Sequence, residues 1–227
     1  MDIQNILDEI IKLPSDLHGC GSVSSKVLKG IYKYCSNLNI ENSIETGSGK
    51  TTLLFTHLSK NHTVFALDIE NSVNVVKSSK LLNIASYNWI NGPTQKTLPQ
   101  YNFTKKYQVA YLDGPHGFPF PEIEYYYIYP HIEKGGLLIV DDILIPTIYN
   151  LYKFIKADAM FKELEVIDTT AFFQRTNEDT FDPLGDGWWL QGYNKKHYPI
   201  PVNLKIFLKG ILPEKLKNIL KQRPNLK

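Results

Sequence analysis

The sequence predicts an α/β fold: a Rossmann-like, doubly wound, mostly parallel sheet with an antiparallel terminal strand and an added N-terminal helical layer. From Ile40 onward, short apolar strand-like segments alternate with helix-like segments, which is typical of a parallel sheet with crossover helices. A glycine pair follows the first strand-like segment, where a ligand-binding turn is expected. The last two strand-like segments are tightly joined, which predicts a terminal hairpin and hence the antiparallel strand.

The composition is that of an ordinary globular protein and excludes several functional classes. Of the 227 residues, 43% are hydrophobic and 21% are charged, which suits one α/β domain with a full core. The net charge of +2 is too small to indicate a basic nucleic-acid-binding surface. No apolar run approaches the roughly 20 residues of a membrane span. The N-terminal segment MDIQNILDEIIKLP carries early acids and predicts no signal peptide. Two cysteines, Cys20 and Cys35, make no disulfide framework, so we expect a reduced, cytoplasmic protein.

Residues 1–39 are predicted to form the N-terminal helical layer. Apolar residues at helical spacing indicate one helix over Asp2 to Leu13 and a second over about Ser24 to Cys35. The polar loop between them carries His18 and Cys20. We interpret these two as ordinary loop residues, with a lid over a pocket as the alternative.

Residues 40–176 are predicted to form the ligand-binding core. The expected parallel strands are Ile40–Thr46, Thr63–Asp68, Ser86–Ile90, Tyr107–Asp113 and Gly136–Asp141, and the terminal hairpin joins Lys162–Thr169 to Ala171–Arg175. Helices are expected from Lys50, over Ser72–Leu82, over Pro121–Ile132 and over Pro146–Ala159.

Residues 177–227 are assigned to the same domain. They begin with an irregular acidic loop over Asn177–Gly187, and Trp188 and Trp189 follow in a further strand or flap. Pro213–Gln222 reads as a basic amphipathic helix, whose lysines we interpret as a solvated face rather than a partner site.

The segment IETGSGKTTLL marks the expected ligand-binding turn. Gly47 can turn sharply with a positive φ, and Gly49 lets backbone approach a ligand closely. A phosphate loop would need GxxxxGK[ST], but its first glycine falls on Ile44, so the loop is too short to wrap a triphosphate. A dinucleotide site would need GxGxxG, whose third glycine is replaced by Thr52. The third pattern is E-x-G-x-G, which starts at Glu45.

Acidic residues end four of the five predicted parallel strands. They are Glu45, Asp68, Asp113 and the pair Asp141-Asp142. Because ligands of such sheets bind outside the carboxyl ends of the strands, we expect these acids to surround one site. Asp68 lies about 20 residues past the glycine turn, the spacing of an acid that binds ribose hydroxyls. Its alternative role is the cap of the next helix.

These motifs together resemble the class I S-adenosylmethionine-dependent methyltransferases. The E-x-G-x-G turn resembles their first motif, and YLDGPHG followed by EKGGLLIVDDI resembles the small-molecule O-methyltransferase branch, with DGxH and DD in that order. The segment Lys134-Gly135-Gly136 lacks the proline that the family often has in this turn. The resemblance covers about residues 40–176. It implies that S-adenosylmethionine binds at Glu45, Thr46, Gly47, Ser48, Gly49, Asp68, Ile69, Gly92, Pro93, Thr94 and Asp113.

The resemblance also implies a metal and a base. In metal-dependent members, the positions of Asp113, Asp141 and Asp142 hold a divalent cation, which we expect to be Mg²⁺ because all donors are hard oxygens. His116, with Asp113, is expected to be catalytic, since a histidine has a suitable pKa for a general base. A metal-free site, in which Asp113 and Asp141 only order the ligands, and an ordinary loop histidine remain the alternatives.

The function implied by the resemblance is methyl transfer to a hydroxyl of a small molecule, namely a sugar, a phenol or a secondary metabolite. A small-molecule acceptor is therefore the expected partner, and a homodimer is left open. Aromatic residues in Tyr125–Tyr129 and at Trp188 and Trp189 either line the acceptor pocket or belong to the core. The alternative function is a nucleotide-binding Rossmann-like module or an NAD-dependent dehydrogenase.

Overall fold

The structure of the protein is a computed structural model, which describes residues 2–14, 22–181, 187–188 and 191–197. The described strands are β1 (Ile40–Thr46), β2 (Ser59–Ala66), β3 (Tyr87–Asn91), β4 (Tyr107–Leu112), β5 (Ile132–Val140), β6 (Phe161–Ile167) and β7 (Thr170–Arg175). The described helices are α1 (Ile3–Lys12), α2 (Ser25–Cys35), α3 (Lys50–Leu58), α4 (Ser72–Ser78), α5 (Thr94–Thr97), α6 (Phe120–Ile128), α7 (Pro146–Ala157) and α8 (Gly192–His197).

The seven strands form one sheet in the order β3-β2-β1-β4-β5-β7-β6. The pairs from β3 to β5 are all parallel, whereas β7 is antiparallel to both β5 and β6. The predicted fold class is therefore confirmed, including the terminal hairpin. The strand order reverses between β1 and β4, so the crevice at their carboxyl ends is where this architecture binds ligands.

Two strands begin more than two residues away from their predicted limits, because strand pairing overrides local composition; the other strand limits differ by two residues or fewer. β2 begins at Ser59, since this polar segment pairs with the start of β1, where Ile40 faces Ser59. It ends at Ala66 rather than at Asp68 because the chain leaves the sheet there and turns into α4. β5 begins at Ile132, which pairs with Tyr107 before the register shifts at a bulge.

Both faces of the sheet are covered. One cluster of buried residues joins α1, α2 and α3 to the strands; its members include Leu7, Ile10, Leu28, Ile31, Leu53, Leu54, Val109, Tyr111, Leu137, Ile139 and Phe172. The alternating residues Ala110, Leu112, Leu138 and Val140 point to the other face and are also buried. Near-continuous burial along the central strands is expected of a doubly wound sheet. It also explains why these strands read as apolar runs in the sequence.

The N-terminal helices lie where their patterns predict them. α1 buries Ile6, Leu7 and Ile10 on one face, and α2 begins where the Ser24 hydroxyl accepts the N–H of Val27 at 3.2 Å. Among the described residues, no helix is both long and apolar enough to cross a membrane.

The chain divides into two compact units, residues 1–180 and 181–227. In the second unit the described part contains the six-residue helix α8 and Trp188, whose side chain is exposed. Several sequence-based expectations lie outside the described residues. They concern His18, Cys20, Trp189 and the basic helix over residues 213–222.

Candidate active site

The glycine turn after β1 brings two strand ends into close contact. Gly47 has a φ of +86°, and a Cβ atom at this position would lie 2.2 Å from the carbonyl oxygen of Asp113. Only glycine permits this approach, because any side chain would overlap the backbone that follows β4. The adjacent helix α3 starts at Lys50, and the N–H of Gly49 donates to the hydroxyl of Thr52 at 3.0 Å. Thr52 therefore caps the helix at the position where a dinucleotide motif has its third glycine.

Glu45 supports this turn from inside the protein. Its carboxylate is buried and accepts hydrogen bonds from the hydroxyls of Thr51 and Thr52, the latter at 2.7 Å. The Nε2 atom of His62 lies 3.0 Å from the same carboxylate. Glu45 thus ties the end of β1 to the first turn of α3 and to β2, and it does not line the cavity described below.

A cavity of about 680 Å³ opens at the carboxyl ends of the strands, within the usual range for small-molecule sites. Among the residues of the sequence-based site, its lining includes Gly47, Ser48, Gly49, Ile69, Pro93, Thr94, Asp113, His116, Asp141 and Asp142. Glu45, Thr46, Asp68 and Gly92 lie outside the lining. The structure therefore brings most of the predicted residues to one concave surface, at the reversal of strand order.

Three polar side-chain atoms on this surface make no hydrogen bond of good geometry among the described residues. The Ser48 hydroxyl, the Thr94 hydroxyl and the Gln95 carbonyl oxygen are all buried, and all three residues line the cavity. Buried polar atoms normally have hydrogen-bond partners. Their presence beside the glycine turn therefore fits a polar ligand in the cavity.

Asp68 is engaged by its own helix. Its carboxylate accepts the N–H of Val73 at 2.9 Å and a hydrogen bond from the side-chain amide of Asn74. These contacts bind the first turn of α4, whose N-cap position is Asn71, and they are similar to the alternative role of Asp68 as a helix cap. Ribose binding by Asp68 stays a prediction, for which its remaining lone pairs are available.

Asp113, His116 and Asp142 form a cluster on the cavity wall. The His116 Nε2 atom lies 3.6 Å from a carboxylate oxygen of Asp113 and 3.4 Å from one of Asp142. One donor atom from each residue lies within 4.8 Å of the others, and these three could hold a metal ion. Asp142 has a φ of +52°, a conformation that aspartate tolerates better than most residues. This turn in the backbone directs its carboxylate toward His116.

Asp141 has different surroundings from Asp142, although the two are consecutive. Its side chain is buried, and one oxygen accepts the Thr170 hydroxyl at 2.6 Å and the N–H of Asp142 at 2.8 Å. The other oxygen accepts the hydroxyl of Tyr111. The three residues that could hold a metal ion are thus Asp113, His116 and Asp142, whereas the sequence predicts Asp113, Asp141 and Asp142.

The cluster has perturbed protonation equilibria. Burial raises the pKa of Asp113 to about 8, helped by the charges of Asp141 and Asp142 and opposed by His116. Burial and then Asp141 also raise the pKa of Asp142. The Asp113 carboxylate beside the Nε2 atom is the main reason why the pKa of His116 is raised. Carboxylates held this close share protons or attract a cation, because their negative charges repel one another.

Glu124 is the residue of this region that the sequence-based interpretation missed. It lies on α6, is 1% exposed, and its Oε2 accepts the Thr46 hydroxyl at 2.7 Å. Burial raises its pKa to about 7. The helical spacing of Pro121, Glu124, Tyr125 and Ile128, all buried, is the pattern that places Glu124 on the inner face.

Comparison with known proteins finds a family match over the central part of the chain. Residues 44–143 match the family model described as a methyltransferase domain. This segment is a methyltransferase domain. The recognition of a class I methyltransferase from the glycine turn and the strand-end acids is thereby confirmed. The matched segment runs from β1 to just past Asp142 and so includes the turn, the cluster and Glu124. No curated protein matches the chain.

Solved structures of other proteins share the fold of this chain. A Staphylococcus aureus protein assigned as a caffeoyl-CoA O-methyltransferase is 14% identical, with a TM-score of 0.61 over 78% of this chain and 93% of that chain. TomG, an O-methyltransferase from Streptomyces achromogenes solved with SAM, is 12% identical, with a TM-score of 0.59 over 76% of this chain and 90% of that chain. MycE, from mycinamycin biosynthesis and solved with Mg and SAH, is 14% identical, with a TM-score of 0.51 over 81% of this chain and 57% of that chain.

Proposed function

We propose that this methyltransferase uses S-adenosylmethionine to methylate a hydroxyl group of a small molecule, namely a sugar, a phenol or a secondary metabolite. The observation that carries the proposal is the packing of the glycine turn against the Asp113 backbone, beside a cluster that contains a carboxylate pair and an imidazole. The first feature suits a cofactor without phosphate, and the second suits proton removal from a hydroxyl. The solved O-methyltransferases of the same fold support this choice of acceptor.

The cavity residues fit S-adenosylmethionine. In this proposal the backbone of Gly47–Gly49 and the free Ser48 hydroxyl contact the amino acid part of the cofactor, together with Asp113. Asp68 binds the ribose, and Ile69 and the Gly92–Thr94 turn bracket the adenine. Glu45 and Thr46 support the glycine turn and do not contact the cofactor, because neither residue lines the cavity. When bound, the cofactor supplies a methyl group that its sulfonium charge already activates for transfer.

The residues of the chain then have to orient the acceptor and take its proton. We assign the proton to the Nε2 atom of His116, which faces Asp113 and Asp142. Because Asp113 raises the pKa of His116, the imidazole retains the proton that it has taken. It acts as a base only in its neutral form, so activity is expected to increase with pH as His116 deprotonates.

A divalent cation fits the same cluster, and we propose Mg²⁺, as the two carboxylates suggest. Asp113 and Asp142 offer hard oxygen donors that Mg²⁺ prefers, and one donor atom of each lies within 4.8 Å of the other. Both oxygens of Asp141 already accept hydrogen bonds, so its sequence-based role as a third ligand stays a prediction. Such an ion would lower the pKa of an acceptor hydroxyl. MycE, solved with Mg and SAH, supports the choice of metal.

The alternative of a dinucleotide or triphosphate site receives less support. The Thr52 hydroxyl accepts the Gly49 N–H, where a dinucleotide site needs a glycine for close packing. The Lys50 ammonium donates to the carbonyl of Leu13 at 2.8 Å. A small-molecule acceptor, and neither nucleic acid nor membrane, therefore remains the proposed partner. The low cysteine content supports a cytoplasmic location.

Transfer of a labelled methyl group from S-adenosylmethionine to a panel of sugars, catechols and other hydroxylated metabolites tests the proposal. Calorimetry with S-adenosylmethionine, NAD and ATP should show binding of the first alone. A clear preference for NAD or ATP would contradict the proposal.

The metal requires a separate comparison. Activity should fall in excess chelator and return with Mg²⁺, while affinity for S-adenosylhomocysteine is retained. Asp142→Asn should likewise lose more activity than cofactor affinity. Full methyl transfer in excess chelator would remove the support for the metal and leave His116 and Asp113 acting alone.

A further inference from the structure

Glu124 connects two loops of the candidate site from beneath. Its Oε2 accepts the hydroxyl of Thr46, the last residue of β1 and the neighbour of Gly47. The Thr46 oxygen in turn accepts the N–H of Asp113 at 3.0 Å. A hydroxyl has one proton to donate and two lone pairs to accept with. Because the Thr46 hydroxyl donates its hydrogen bond to Glu124, a lone pair of the same oxygen is directed to the N–H of Asp113.

Gly114 provides the second contact between Glu124 and the site. A Cβ atom at position 114 would overlap the Oε1 atom of Glu124. The carboxyl group therefore fills the space directly under the loop that carries Asp113 and His116. Through Thr46 and Gly114, a single side chain from α6 touches the loops that follow β1 and β4.

Stability alone does not explain an acidic residue at this position. Glu124 is 1% exposed, and its Oε1 atom accepts no hydrogen bond of good geometry among the described residues, although the Thr94 hydroxyl and the Gly114 N–H lie near enough to oppose the rise in the pKa of the carboxyl. A buried polar atom that lacks a well-formed hydrogen bond costs free energy, and an apolar side chain of similar length would avoid that cost. The acid is explained if its hydrogen bond to Thr46 serves the arrangement of the site.

We propose that Glu124 is a positioning residue that holds the Gly47 turn and the Asp113–His116 loop at the separation that cofactor binding requires. The proposal rests on the proposed function for the identity of the ligand. The residue acts through the Thr46 hydroxyl and through Gly114, and it does not contact the cofactor itself.

Two pairs of variants at the ends of this hydrogen-bond chain test the proposal. Glu124→Met keeps the length of the side chain and removes the acceptor, whereas Glu124→Gln keeps an acceptor oxygen. Thr46→Val removes the hydroxyl, whereas Thr46→Ser keeps it. Glu122→Met, on the same helix, is the matched control. The measurement is the affinity for S-adenosylhomocysteine, by calorimetry at a temperature well below the midpoint of unfolding of each variant.

We expect Glu124→Met and Thr46→Val to bind at least tenfold more weakly than the wild type. Glu124→Gln, Thr46→Ser and Glu122→Met should stay within threefold. The double variant Thr46→Val/Glu124→Met should be no weaker than the weaker single variant, because both changes interrupt one chain of bonds.

The outcomes separate this proposal from the proposed function. If the wild type binds and Glu124→Met stays within threefold, Glu124 has no positioning role. The same conclusion follows if Glu124→Gln loses as much affinity as Glu124→Met, because the acceptor oxygen would then not matter. A folded wild type that does not bind S-adenosylhomocysteine would refute the proposed function, and this proposal with it.

Discussion

Replacement of Gly47 by alanine tests the close approach on which the site depends, and Gly135 offers a matched control. Both glycines have a φ of +86°. At position 135 a Cβ atom would meet nothing within 4 Å, whereas at position 47 it would lie 2.2 Å from the Asp113 oxygen. The two substitutions therefore share the cost of a left-handed alanine and differ in the overlap.

The magnitudes follow from these two terms. A left-handed alanine costs roughly 1–2 kcal/mol, which is the expected loss of unfolding free energy for Gly135→Ala. In Gly47→Ala, ordinary contact begins at 3.4 Å, so one of the two strand ends must move by about 1.2 Å. That movement breaks the Thr46–Asp113 hydrogen bond, which adds roughly 1 kcal/mol. Because the same movement changes the cofactor side of the cavity, we expect affinity for S-adenosylhomocysteine to fall at least tenfold.

Urea unfolding and calorimetry on both variants provide the assay. The prediction is a greater loss of stability in Gly47→Ala than in Gly135→Ala, with a loss of binding confined to Gly47→Ala. Equal losses of stability together with unchanged binding in both variants would refute the argument, because the overlap would then have no structural consequence.

Three further predictions concern single side chains. Burial raises the pKa of Glu124 from 4.5 to about 7, so the folded state binds the proton more tightly than the unfolded state does. The stability that this proton contributes is therefore complete below pH 4.5 and is lost as the pH rises through 7. Relative to Glu124→Gln, the wild type should lose roughly 3 kcal/mol of unfolding free energy between pH 4.5 and 8, and parallel pH profiles would contradict this. Asp68→Ala should cost about 1 kcal/mol of stability through its cap and weaken S-adenosylhomocysteine binding by about 2–3 kcal/mol; unchanged calorimetric affinity would rule out the ribose contact. Lys50→Met should lose roughly 1.5–3 kcal/mol of stability with its bond to Leu13, and tight, Mg²⁺-dependent ATP binding that this variant abolishes would overturn the methyltransferase assignment of the turn.

The sequence by itself was sufficient to predict the fold and the location of the candidate site. Apolar runs that alternate with helical patterns predict a parallel sheet because crossover helices bury both faces of the central strands. The carboxyl ends of such strands meet at one edge, so Gly47, Asp113 and Asp142 could be placed together without coordinates. Local spacing is sufficient for these inferences because strand ends and turns are properties of short segments.

Only the tertiary structure decided which groups each acid contacts. Asp141 and Asp142 are equivalent in a sequence motif, but Tyr111 and Thr170 engage the first, and a positive φ directs the second toward His116. Glu124 lies 78 residues from the threonine that it contacts, so no local pattern could pair them. The role of a carboxylate depends on which donors reach it, and in this sheet those donors come from strands and helices far away in sequence.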